Sequence, residues 1–280
     1  MGRKGRKQQQ DVALSTDITP LRAFLSGATA GFVVDVALFP IDTLKTRLQS
    51  PKGFFQSGGF RGIYSGLSAA ALGSAPGASL FFMTYESLKK PFKNVTGSDV
   101  LSQQAAASCG EIMACLIRVP TEVVKQNMQA GQFDSFQGAI GGLMKKEGVF
   151  GFYRGFLSTI MREIPFSIIQ FPLWEGSKSM WSRAQKKTVS PWQGAICGAL
   201  SGGFSGFITT PLDLAKTRIM LGADAKGVPY TGVVDVWGRV YAEGGVRALY
   251  AGCGPRTFWL TLGGIFFFGA YEKARSLLST

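Results

Sequence analysis

A carboxylate and a lysine three residues apart occur three times in this sequence of 280 residues, and such groups can form ion pairs. The copies are Pro40–Arg47, Pro120–Asn127 and Pro211–Arg218, each with a proline, an acid two residues later and a lysine five residues later. At this spacing the acid and the lysine share one face of a helix, and the proline bends that helix. Three copies at regular intervals indicate a threefold assembly, in which the acid of one helix can reach the lysine of the next.

A second motif, an aromatic residue followed by glutamate and then a base, occurs at Tyr85–Lys89, Trp174–Lys178 and Tyr271–Arg275. An earlier tyrosine precedes this motif by 21 residues in every copy, whereas the distance from the proline to that tyrosine is 24, 33 and 39 residues. A constant interval indicates a fixed structural span, and a variable interval indicates a loop. The chain is therefore predicted to repeat a helix, a loop with a short helix, and a second helix.

The elements that must position these motifs are six long helices. They are predicted at residues 21–49, 67–89, 100–129, 156–178, 192–221 and 254–277. A bilayer core of about 30 Å requires about 20 helical residues, so all six can be transmembrane helices. The fold class is thus an all-α membrane protein, with repeats at 18–95, 96–187 and 188–280 after a disordered basic tail at 1–17.

The composition excludes two kinds of site and limits the classes of ligand that the protein can bind. The sequence has no histidine and four cysteines without a CxxC pair, which excludes an ordinary zinc site and histidine-based catalysis. The net charge of +13 is compatible with nucleic acid, anionic lipid or an acidic ligand. Its basic residues are scattered at the ends of segments, which disfavours nucleic acid.

Charged residues inside the predicted helices indicate a binding site, because an ionisable residue within a membrane is costly and usually functional. They are Asp35, Glu111, Arg118, Arg162 and Glu163. A carrier of nucleotides or polycarboxylates requires a surplus of lysine and arginine in its cavity. The mixed signs here favour a zwitterion with an additional positive charge.

The six motifs resemble the mitochondrial carrier family, and the resemblance extends from about Leu21 to Leu278. It implies six transmembrane helices around a central cavity, in a multi-pass protein of the mitochondrial inner membrane. It also implies transport by alternating access rather than catalysis. A monomer is expected, because each chain surrounds its own cavity.

The resemblance implies two gates made of ion pairs. The matrix gate is expected to pair Asp42 with Lys125, Glu122 with Lys216 and Asp213 with Lys45, with Gln49 and Gln129 as braces. The cytoplasmic gate is expected to pair Glu86 with Lys178, Glu175 with Arg275 and Glu272 with Lys89, with Tyr85, Trp174 and Tyr271 as the aromatic residues. Trp174 departs from the family's tyrosine, and Met220 stands where a third glutamine brace is expected.

The resemblance also implies where the substrate binds. At the family's contact points the chain has Gly73, Ser74, Arg162, Glu163 and Leu260. The adjacent arginine and acid resemble carriers of amino-acid-like substrates, with guanidinium for the carboxylate and the acid for the ammonium group. With the cavity charges, the expected substrate-binding set is Asp35, Gly73, Ser74, Glu111, Arg118, Arg162, Glu163 and Leu260.

Four segments resemble family members that carry S-adenosylmethionine. They are Leu38–Pro51, Ile117–Gln126, Arg162–Ser167 and Gln170–Glu175. The resemblance implies import of S-adenosylmethionine in exchange for S-adenosylhomocysteine. It implies no metal and no cofactor, and a structural cardiolipin at the helix starts near Gly59, Gly148, Gly155, Gly244 and Gly252.

Other functions remain as alternatives at this stage. The nearest is a carrier of another basic amino acid or of a nucleotide-containing cofactor. A soluble nucleic-acid binder or methyl-transfer enzyme would need a basic stripe or a glycine-rich loop after a strand, and the sequence has no such context. A permanently open channel is disfavoured by two complete sets of gate motifs.

Overall fold

The computed structural model describes residues 36–263, apart from the side chains of residues 99–101 and 191. Within this range the chain is helical, with an isolated bridge between Ala223 and Pro229. The helices are α1 (36–49), α2 (Leu67–Thr96), α3 (Asp99–Gln129), α4 (Phe136–Glu147), α5 (Phe156–Gln185), α6 (Pro191–Ile208), α7 (Thr210–Leu221), α8 (Val233–Leu249) and α9 (253–263), with a 3₁₀ turn at Val149–Tyr153. The prediction of an all-α fold is confirmed.

Several predicted features lie outside the described residues. They are the tail 1–17, the first part of the helix 21–49 with Asp35, and the end of the helix 254–277 with Tyr271, Glu272 and Arg275.

The long helices begin within one residue of their predicted starts, but α2 and α5 continue seven residues beyond their predicted ends. The prediction stopped each helix at the last base of its aromatic motif. The added turns, Lys90–Thr96 and Ser179–Gln185, are mostly polar or exposed. Helical hydrogen bonding therefore extends past the apolar segment that the sequence pattern detects.

One described helix, Leu67–Thr96, is by itself long and apolar enough to cross a membrane. The pair Trp192–Ile208 and Thr210–Leu221 passes the same test together, with a bend of 66° between its halves. The bend precedes Pro211, which has no amide hydrogen to continue the helical pattern. Helices α3 and α5 are equally long, but their internal charges lower their hydropathy, as expected for helices that line a polar cavity.

The first repeat has no loop helix in the described structure, in contrast to the prediction. Turns occupy residues 51–66, where the other repeats have α4 and α8. The proline-to-tyrosine interval of 24 residues is too short for a further helix. Arg47 orders this loop instead, because its guanidinium donates to the carbonyls of Gly59 at 2.7 Å and Arg61 at 2.6 Å.

Glycine allows α2 and α3 to approach closely. A Cβ placed on buried Gly73 would lie 2.2 Å from Thr121 Oγ1 and 2.7 Å from Thr121 Cβ. Rotation of the threonine cannot remove a clash with its own Cβ. Gly77, one turn later, is also buried, but its Cβ would meet only the Ala114 carbonyl at 4.0 Å.

We therefore expect Gly73→Ala and Gly77→Ala to have opposite effects on stability. The first should destabilise the protein by about 1–3 kcal/mol through overpacking. The second should be neutral or stabilising by up to about 1 kcal/mol, because alanine favours a helix more than glycine does. Thermal unfolding in detergent measures both, and an equal effect of the two substitutions would contradict this packing.

Candidate functional site

Three ion pairs join α1, α3 and α7, the helices that carry the proline motifs of the three repeats. Lys45 Nζ lies 2.7 Å from Asp213 Oδ2. Lys125 Nζ lies 2.6 Å from Asp42 Oδ2. Lys216 Nζ lies 2.8 Å from both carboxylate oxygens of Glu122. These pairings are the ones that the sequence led us to expect, and each links α1, α3 or α7 to another member of this set.

Glutamine amides brace two of these carboxylates. Gln129 Nε2 donates to Asp42 at 3.0 Å, and Gln49 Nε2 donates to Asp213 at 3.1 Å. Each glutamine is held in turn by a threonine hydroxyl that donates to its carbonyl oxygen, Thr46 for Gln129 and Thr217 for Gln49. Both glutamine side chains are therefore fixed from two sides.

The third carboxylate has a different brace. Met220 is fully buried in an apolar cluster with Val119 and Val123 and cannot donate a hydrogen bond. Glu122 instead accepts from Gln126 Nε2 of its own helix at 3.0 Å. The ring of ion pairs is thus complete, whereas its braces are not symmetric.

A second ring of contacts joins the same three helices, through side chains two residues after the ion-pair lysines, and the sequence did not predict it. Arg47 Nε donates to the carbonyl of Gln129 and Arg218 Nε to the carbonyl of Gln49, both at 2.9 Å. Asn127 Nδ2 donates to the carbonyl of Met220 at 3.1 Å. We call these three contacts the carbonyl ring. Each donor stands seven residues after the proline of its motif, and this shared spacing could have indicated the carbonyl ring from the sequence.

The cytoplasmic side is arranged differently. Lys178 Nζ contacts Glu175 of its own helix at 2.6 Å and lies 3.7 Å from the centroid of the Trp174 ring. Glu86 is exposed and makes no ion pair with any described residue. The expected pair of Glu86 with Lys178 is therefore wrong for this conformation. Among the residues that the structure describes, the three expected matrix pairs are thus formed and the expected Glu86–Lys178 pair is not.

Two further residues of the expected cytoplasmic gate, Tyr85 and Lys89, are described. Lys89 Nζ lies 5.5 Å from the centroid of the Tyr85 ring. The expected partners Glu272 and Arg275, and the aromatic residue Tyr271, lie outside the described residues.

The charged residues expected to bind substrate form two internal pairs. Arg118 contacts Glu111, seven residues earlier on the same face of α3. Arg162 contacts Glu163 on α5, and its Nε lies 3.8 Å from Asp213 Oδ1 of the matrix gate. Arg162 thus connects the expected substrate position with the gate.

The uncharged members of the expected set lie in other surroundings. Gly73 is buried against Thr121, and Ser74 is exposed. Leu260 packs over Gly206, whose added Cβ would lie 2.2 Å from Leu260 Cδ1. The structure gives Gly73 and Leu260 helix-packing positions, and Asp35 lies outside its described residues.

Arg256 is a charged residue of this region that the sequence reasoning did not select. It is 5% exposed, contacts Asp213, and donates to the Gly206 carbonyl at 3.1 Å and to Thr209 Oγ1 at 3.0 Å. It stands six residues after Tyr250, where the other repeats have alanine and threonine. This break in the repeat pattern was the signal that could have found it.

Comparison with known proteins adds to this geometry. A family model described as Mitochondrial carrier protein matches the chain three times in succession, over residues 16–96, 97–185 and 187–280.

Individual relatives match most of the chain. The chain is 49% identical over 259 residues to the mitochondrial S-adenosylmethionine carrier protein of Xenopus tropicalis, covering 91% of this chain and 96% of the relative. It is 47% identical over 258 residues to the protein of the same name from Mus musculus, covering 91% and 94%. It is 49% identical over 261 residues to the S-adenosylmethionine mitochondrial carrier protein homolog of Drosophila melanogaster, covering 91% and 92%.

The geometry of the ring predicts the effect of exchanging charges within one pair. Asp42→Lys places two ammonium groups together and removes the carboxylate that Gln129 braces, so we expect a loss of up to about 3 kcal/mol in stability. The double substitution Asp42→Lys with Lys125→Asp should recover at least half of that loss. Thermal unfolding in detergent is the measurement.

The matched control is Asp134→Lys, an exposed change of the same charge type in the loop before α4, which should leave the unfolding temperature unchanged. If the unfolding temperature of the double variant is no higher than that of Asp42→Lys alone, this ion pair does not stabilise the structure.

Proposed function

Because the chain belongs to the mitochondrial carrier family, we propose that it moves S-adenosylmethionine across the mitochondrial inner membrane in exchange for S-adenosylhomocysteine. It is a multi-pass membrane transporter and not an enzyme. The observation that carries the substrate is the identity of 47–49% to S-adenosylmethionine carriers over 91% of the chain.

The paired charges on α3 and α5 suit an amino-acid-like substrate. The guanidinium groups of Arg118 and Arg162 each contact a carboxylate of the same helix. A zwitterion can enter such a pair by exchanging partners, with its carboxylate on Arg162 and its ammonium group on Glu163. Every charge then keeps a partner, so the cost of removing charges from water is largely offset.

The sulfonium group distinguishes the two proposed substrates. S-adenosylmethionine carries it, whereas S-adenosylhomocysteine has the same amino-acid end and a neutral thioether. Both can therefore use Arg162 and Glu163. We assign the additional positive charge to Asp35, the cavity acid that the sequence places two helical turns from Asp42.

The state of the gates supports transport by alternating access. The three matrix ion pairs are formed, and Lys178 is engaged with Glu175 rather than with Glu86. The cost of taking the charges of a buried ion pair out of water offsets much of their attraction, so a ring of such pairs can favour one state and still open. We therefore propose that substrate enters this conformation from the cytoplasmic side.

The proposal also covers the bound lipid and the oligomeric state of the protein. Gly155 immediately precedes α5 with a left-handed backbone, and helix N-termini of this kind bind phosphate groups. We propose cardiolipin there and near Gly59, Gly148, Gly244 and Gly252, a monomeric carrier, and no other bound cofactor.

The test is reconstitution of the purified protein into liposomes. We expect labelled S-adenosylmethionine to enter liposomes preloaded with S-adenosylmethionine or S-adenosylhomocysteine, and much less to enter liposomes without internal substrate. Uptake that basic amino acids or nucleotides inhibit more strongly than S-adenosylhomocysteine does would contradict the substrate. Equal uptake without internal substrate would contradict exchange.

Two substitutions separate the proposed roles of the acids. Glu163→Gln should raise the KM for both substrates about tenfold or more, because both present an ammonium group, and a tenfold change corresponds to about 1.4 kcal/mol. Asp35→Asn should abolish S-adenosylmethionine transport while the protein stays folded, and should impair S-adenosylhomocysteine less.

Asp134→Asn is the matched control for Glu163→Gln, since it also neutralises an acid, and Asp134 is exposed in the loop before α4 and outside the expected site. It should leave both KM values within about twofold. Equal losses for the two substrates in Asp35→Asn would remove Asp35 from the sulfonium site.

A further inference from the structure

Arg256 is nearly buried, and three of its nitrogens have partners. Nη1 contacts the Asp213 carboxylate, Nε donates to the Gly206 carbonyl, and Nη2 donates to Thr209 Oγ1. Its side chain is 6% exposed and that of Asp213 is 4% exposed. A charge-assisted contact in such a dry environment is among the stronger hydrogen bonds in proteins.

These partners lie on both sides of one helix break. Gly206 belongs to α6, Thr209 stands at the break, and Asp213 belongs to α7. Arg256 comes from α9 of the same repeat and therefore fixes the position of the Asp213 carboxylate relative to the bend. The close approach of α9 leaves little room at 206, since an added Cβ would lie 2.2 Å from Leu260 Cδ1 and that methyl group would have to move.

The other two acids of the matrix ring have no such arginine among the residues that the structure describes. Asp42 has Lys125 as its ion-pair partner and Glu122 has Lys216. Asp213 has Lys45 and Arg256, with Arg162 Nε at 3.8 Å as well. Lys45 belongs to another repeat, whereas Arg256 and Asp213 belong to the same one.

We infer that Arg256 is a positioning residue of the matrix gate, which remains the partner of Asp213 when Lys45 withdraws. This inference rests on the proposed function, because it concerns the opening step of a transport cycle. When the gate opens, the pairs between repeats separate. Asp213 then keeps a cation from its own repeat, so its carboxylate is never left buried without a partner.

Loss of Arg256 should therefore lower the rate of transport rather than weaken the binding of substrate. Without Arg256, Asp213 keeps Lys45 and Gln49 in the closed gate but has no cation in the open one. Removal of one member of a buried pair is strongly unfavourable because the other charge is left uncompensated. The open state and the barrier to it should therefore be destabilised more than the closed state.

The experiment measures exchange of S-adenosylmethionine by Arg256→Gln, Arg256→Lys and Asp213→Asn in liposomes. Arg256→Gln should lower the maximal rate about tenfold or more, with the KM within about twofold of the original protein. Arg256→Lys keeps a cation beside Asp213 and should retain at least a third of the rate. In the Asp213→Asn background, Arg256→Gln should cause no further loss, since no carboxylate remains to be neutralised.

A purely structural role of Arg256 predicts other results and would overturn the inference. Arg256→Lys would then be as defective as Arg256→Gln, because lysine cannot make the contacts to Gly206 and Thr209 together. Thr209→Val, which removes the hydroxyl acceptor and leaves the charges in place, would then reduce the rate as strongly. A raised KM with an unchanged maximal rate would also contradict the inference.

Thermal unfolding of the original protein, Arg256→Gln, Asp213→Asn and the double variant in detergent tests the link between Arg256 and Asp213 without substrate. A double-mutant cycle should give a coupling between the two positions, and additive effects would contradict the link. If the original protein exchanges no S-adenosylmethionine but the cycle shows coupling, the proposed substrate fails while the contact stands. If Arg256→Gln does not fold, Arg256→Lys and Thr209→Val still decide between a charge role and a packing role.

Discussion

The structure depends on one electrostatic constraint, that a carboxylate removed from water needs a cation and hydrogen-bond donors in its place. Asp42, Glu122 and Asp213 each satisfy it with a lysine from another repeat and with a glutamine amide. Since no repeat can satisfy its own acid by that route, the ion pairs specify how the three repeats are arranged. The same pairs must also separate if substrate is to leave toward the matrix, so one set of contacts both holds the fold and limits transport.

Departures from threefold symmetry coincide with the residues that we propose to bind the substrate and to position the gate. Two arginine–glutamate pairs lie on α3 and α5, and Arg256 lies on α9 at a position where the other repeats carry alanine and threonine. Arg162 contacts Glu163 and approaches Asp213. A ligand that engages this guanidinium therefore alters the surroundings of a gate carboxylate directly, without any intermediate residue.

The sequence predicted the helices and the matrix ion pairs because both follow from spacing that is repeated three times. It did not predict Arg256, since a residue found in one repeat only has no repeated register that could reveal its partner. It placed Gly73 in the substrate site from its register, but whether a glycine faces a ligand or a neighbouring helix depends on the approach of Thr121, which is a tertiary property. The expected contact of Glu86 with Lys178 depends on conformational state, and a single sequence encodes both states.

The carbonyl ring has a consequence for how the protein is made. Arg47 bonds the carbonyl of Gln129 and Asn127 that of Met220, while Arg218 returns to the carbonyl of Gln49, 169 residues earlier in the chain. A nascent chain that contains only the first two repeats has one of these contacts and lacks the other two. The contacts of the carbonyl ring therefore cannot all form until the third repeat is present, and until then the Gln49 carbonyl lacks the Arg218 donor that it has in the whole chain.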